Sequence, residues 1–121
     1  MPFHPLNYYA GWSLILAGFV SGAGIGLFFH RDDFLGGYTS LRRRMARLGH
    51  IALVALGALN ILFAVTVPVS SMAGLSSICW IVGGITMPAI CFLTAWKKSF
   101  RHAFFVPVMS LIVAVILTLL G

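Results

Sequence analysis

Four apolar stretches run along the chain, separated by short segments that hold its charged side chains. They extend from about Tyr8 to His30, Leu48 to Val67, Leu75 to Trp96 and Ala103 to Leu120. Each is close to the roughly 20 residues an α-helix needs to cross the hydrocarbon core of a bilayer. Unpaired backbone is not tolerated in hydrocarbon, so uninterrupted runs of this length predict helices rather than open strands. The expected fold is all-α: an integral membrane bundle of four transmembrane helices, forming a single domain over residues 1–121.

Local punctuation refines this picture. Tyr8, Tyr9 and Trp12 sit at one end of the first stretch, where amphipathic rings favour the headgroup layer. Gly36 and Gly37 break the segment between the first two stretches, and Pro68, Ser70, Ser71 and Gly74 form an uncharged turn before the third. Pro88 lies inside the third stretch and removes a backbone hydrogen bond, which predicts a kink. Pro107 either kinks the fourth helix or marks its true start.

Composition agrees with the pattern. Of the 121 residues 60% are hydrophobic and only 8% charged, and the mean hydropathy is +1.04. A soluble domain this small leaves too much surface in water to hide such a composition. Cys79 and Cys91, twelve residues apart in one helix, would lie about 18 Å apart at helical rise and cannot pair there.

The net charge of +6 adds orientation. All eight Lys and Arg fall between Arg31 and Arg47 or between Lys97 and Arg101, and the acids are Asp32 and Asp33 alone. Short loops bearing Lys and Arg stay cytoplasmic. The expected location is therefore the cell (inner) membrane, multi-pass, with both termini non-cytoplasmic. The first stretch lacks a basic n-region and a small-residue cleavage site, so it is read as a retained helix rather than a signal peptide. No basic stripe interleaves with aromatics, which excludes nucleic acid as the partner. Arg31, Arg42, Arg43, Arg44, Arg47, Lys97, Lys98 and Arg101 are expected to meet anionic lipid, or the acidic surface of a protein partner.

Small residues mark helix packing. Gly18, Gly22 and Gly26 recur at four-residue spacing, flanked by Ser13, Ala17 and Ser21, and such spacing lets two backbones approach closely. The seam is expected inside the bundle, against the second or fourth helix, with a homo-oligomer or another membrane protein as the alternative occupant. In the second helix His50, Gly57, Asn60 and Ala64 share one stripe that should face protein, because polar groups in the membrane turn away from lipid. Asn60 is expected to hydrogen-bond across helices.

His30, His50 and His102 are expected near the cytoplasmic membrane surface, with His50 and His102 opening the second and fourth helices. They are the candidate cofactor-binding residues, as haem ligands or as partners of a quinone headgroup, and a transition metal is a third option. The plainer alternative is contact with lipid phosphates and helix ends.

No Asp, Glu, Lys or Arg interrupts an apolar stretch, and the chain has no Glu. Proton-coupled transport needs a titratable group within the membrane, so four-helix drug exporters of the small multidrug resistance type are disfavoured. No phosphate-binding loop or nucleophile with its base stands out. Two functional classes follow. The first is a non-catalytic accessory or assembly subunit of a larger membrane complex, a respiratory one being the first candidate. The second is a haem- or quinone-binding redox protein. A passive channel or lipid-interacting protein is a third.

Overall fold

The computed structural model describes residues 4–28, 41–68 and 71–120. Among them are four α-helices, α1 (Pro5–Phe28), α2 (Leu41–Thr66), α3 (Ser71–Trp96) and α4 (Phe105–Leu120), with a 3-10 turn over Lys98–Phe104. All four, α4 taken together with the 3-10 turn before it as Ser99–Leu120, are long and apolar enough to cross a membrane. The chain thus has the architecture of a multi-pass helical membrane protein.

Three helices begin earlier than the apolar pattern indicates, and each has a local reason. α1 starts at Pro5 rather than Tyr8. A proline is pre-organised for the first helical position, where its missing N–H satisfies nothing anyway, and the His4 carbonyl accepts the Tyr8 N–H at 3.1 Å as the first helical bond. α2 starts at Leu41 rather than Leu48, so the basic stretch is helix and not loop. Arginine is a good helix former, and its long stem carries the charge out to water while its backbone stays helical. α3 starts at Ser71, so Ser71 and Gly74 belong to helix and not to the expected turn. α3 runs on across the buried Pro88 as one helix.

The fourth segment opens as a 3-10 turn and becomes α-helical only at Phe105. Pro107 therefore lies in the first turn of α4, where a missing N–H costs little. Of the two sequence expectations for Pro107, it marks the start of the helix.

Each helix packs antiparallel on the next in sequence, and α1 also touches α3. The central pair is α2 and α3, whose spans are 39% and 44% buried against 11% for each of α1 and α4. α4 leans on α3 alone to any extent. Phe63, Ala73, Trp80 and Ala114 form the buried apolar cluster, closed by Val67, Cys79 and Leu111, at the end away from the arginines. Cys79 and Cys91 are free thiols.

Candidate functional site

The seam between α1 and α2 gathers the side chains with the most specific placement. Contacts along it pair His4 with Val67, Asn7 with Asn60, Gly11 with Gly57, Gly18 with Val54 and Gly22 with His50. Closest approach is at Gly11 and Gly57. A Cβ on either would stand 2.6 Å from the carbonyl oxygen of the other, so only glycine fits at this crossing. A Cβ on Gly18 would stand 2.5 Å from the Val54 methyl, and one on Gly22 would run into the His50 ring. Among the described residues nothing lies within 4 Å of where a Cβ on Gly26 would stand. A strict four-residue step gains about 40° of rotation at each repeat of a 3.6-residue helix, so Gly26 has turned off the face that Gly18 and Gly22 share with α2. The stripe of α2 behaves differently: His50, Gly57 and Asn60 touch α1, and the Ala64 carbonyl accepts from the N–H of His4 just before it.

At the end away from the arginines the seam is polar inside. Asn7 and Asn60 are buried and joined amide to amide, Asn7 Nδ2 donating to Asn60 Oδ1 at 2.9 Å. The second Asn7 proton goes to the Ser77 carbonyl at 3.2 Å, and Ser77 Oγ donates to Asn7 Oδ1. Asn60 Nδ2 donates to the carbonyls of Leu56 at 2.9 Å and Trp80 at 3.2 Å. Every amide proton of the pair thus has an acceptor, as burial in an apolar medium demands. A second cluster ties α4 to α3. Thr118 Oγ1 accepts from Trp80 Nε1 at 3.1 Å, bonds Ser76 Oγ at 2.9 Å and donates to the Ala114 carbonyl at 2.7 Å.

His4 closes this end of the seam. Its backbone N–H donates to the Ala64 carbonyl and its Nε2 to the Val67 carbonyl, each at 3.1 Å, while its ring lies 4.7 Å from that of Phe63. Carbonyls at a helix C-terminus lack intrahelical donors, and His4 supplies two. His4 and Asn7 carry no sequence signal comparable to the glycines. A stripe read backwards from Gly18 through Gly11 reaches Asn7, but only if the helix is begun at Pro5.

Toward the basic end stands His50. Because α2 begins at Leu41, His50 does not open the helix as the apolar pattern indicates; it lies nine residues in, about 14 Å along the axis. Its Nδ1 is 2.7 Å from the Gly18 carbonyl oxygen, and its ring rests over Gly22. His102 is exposed in the 3-10 turn. His30 and Arg31 lie outside the described residues, as do the side chains of Arg42 and Lys98. Among the other basic residues Arg43 is buried, Arg47 half-buried, and Arg44, Lys97 and Arg101 exposed. Among the described residues no three His, Cys, Asp or Glu side chains form a group that could hold a bare metal ion. Comparison with protein-family models, with curated proteins and with solved structures gives no match.

Proposed function

We propose that this chain is a non-catalytic accessory or assembly subunit of a larger membrane complex, carried in the cell (inner) membrane with both termini on the non-cytoplasmic side. The observation that supports this is how its polarity is used. The buried side chains of Asn7, Asn60 and Ser77 and the half-buried hydroxyl of Thr118 bond one another, Trp80 or backbone carbonyls. Outward, α1 and α4 present large apolar side chains, among them Leu16, Phe19, Val20, Ile112, Ile116 and Leu119. A four-helix unit whose buried asparagines are paired internally and whose two flanking helices are lightly buried suits a role within an assembly. Arg44, Lys97 and Arg101, exposed at one end, serve as contacts for anionic lipid, each worth about 1 kcal/mol near a charged surface.

The test is extraction of the tagged full chain, expressed at its native level, in digitonin, followed by native electrophoresis and mass spectrometry. A discrete assembly containing other membrane proteins in fixed ratio is expected. A monodisperse species of this chain alone would overturn the reading.

A further inference from the structure

We infer that the 3-10 turn between α3 and α4 binds the headgroup of an anionic phospholipid, through Lys97 and Arg101 and against the Trp96 ring. This deepens the lipid contact proposed above, on which it rests, and is independent of the accessory role. Length is the first argument. α4 is 16 residues long, about 24 Å at helical rise, and falls short of a hydrocarbon core roughly 30 Å thick. The turn before it must complete the crossing, and the apolar span accordingly begins at Ser99. The span of α3 ends at Trp96. Lys97 therefore stands between two spans, at the level of the headgroups, and Arg101 lies just inside the second.

The turn is built for that depth. Lys97 has extended backbone (φ −142°, ψ 116°), which leads the chain out of α3 into 3-10 helix. Lys97, Arg101 and His102 are exposed, while Phe100, Ala103 and Phe104 are half-buried. Basic side chains outward and apolar ones inward are the pattern of a segment lying in the interface. Trp96 is 71% exposed and stacks on Phe100, with ring centroids 6.2 Å apart and planes 21° from parallel. An indole left open beside a lysine offers a headgroup an apolar wall. Charge then selects the occupant. A guanidinium at the hydrocarbon edge needs an anion within reach, and it matches a phosphate in geometry. The chain has two acids against eight Lys and Arg, so most of its cations must meet negative charge from outside the chain. At this depth that charge is a phospholipid phosphate. A headgroup with net negative charge is preferred to a zwitterionic one, whose own ammonium would face the same cations.

The experiment titrates the purified full chain in detergent with phosphatidylglycerol or phosphatidylcholine of matched acyl chains, and reads the affinity for the first bound lipid by native mass spectrometry. Phosphatidylglycerol is expected to bind more tightly. Lys97→Gln and Arg101→Gln should each weaken it about fivefold and change phosphatidylcholine binding little. Trp96→Ala keeps the charge and should weaken phosphatidylglycerol as well. These three side chains are exposed, and circular dichroism with gel filtration establishes that each variant is folded; should Trp96→Ala not fold, Trp96→Leu replaces it. Equal affinity for the two lipids would overturn the inference and leave the cations to the acidic surface of a protein. A preference for phosphatidylglycerol that survives the combined Lys97→Gln and Arg101→Gln change would overturn this site while sparing the general contact of the basic end with lipid. Unchanged binding in the Trp96 variant would overturn it too, in favour of a diffuse positive field.

Discussion

Asn7 and Asn60, fifty-three residues apart in sequence, meet through a 2.9 Å amide hydrogen bond across the α1–α2 seam. Both are fully buried between the helices. Interhelical bonds of this kind contribute about 0.6 to 2 kcal/mol in membranes. Asn60→Ala and Asn7→Ala are each expected to destabilise the protein by about 1 to 3 kcal/mol, since each leaves a buried partner unsatisfied. In a double-mutant cycle measured by SDS-induced unfolding, the pair should show positive coupling. Strict additivity of the two losses would mean that the bond contributes nothing specific.

Gly11 and Gly57 set the distance between α1 and α2. Replacement of either by Leu inserts a side chain where a carbonyl oxygen stands only 2.6 Å from the Cβ position. Overpacking of this kind costs about 1 to 3 kcal/mol or more. Gly26→Leu, at a position with no described neighbour within 4 Å of its Cβ, should leave the melting temperature in detergent nearly unchanged. A Gly26→Leu loss as large as that of Gly57→Leu would contradict the seam as described.

Thr118 joins α4 to the Trp80 indole and to Ser76. Thr118→Val keeps the shape but removes the acceptor, leaving Trp80 Nε1 without a partner. Hydrogen exchange should then quicken in α4 before α1 or α2, because α4 packs chiefly on α3. Uniform quickening across all four helices would show that α4 is not a separately held element.

Orientation is testable with a reporter that is active only outside the cytoplasm. Alkaline phosphatase fused after Leu120 is expected to be active, and the same enzyme fused after Arg101 inactive, as the basic loops require. The reverse pattern would place both termini in the cytoplasm.

The four spans were legible in the sequence because bilayer thickness imposes a length and a composition that no folding detail can alter. Helix ends were less so. Leu41 to Arg47 reads as a loop when charge is equated with loop, yet arginine side chains reach water from a helical backbone. The importance of Gly57 and Asn60 was legible as a small, polar stripe, since such a stripe has no place against lipid. Gly26 fell in the same repeat as Gly18 and Gly22, but rotation of the helix carries it off the contact.

Sequence by itself therefore determined the class of fold, the number of crossings and the side of the bundle that bears charge, all consequences of transfer from water to hydrocarbon. Tertiary structure alone decided that Asn7 answers Asn60, that His4 closes the end of α2, and that the His50 ring is held by the Gly18 carbonyl. Those pairings depend on the register of two helices, and register is set by where the closest backbones cross, at Gly11 and Gly57.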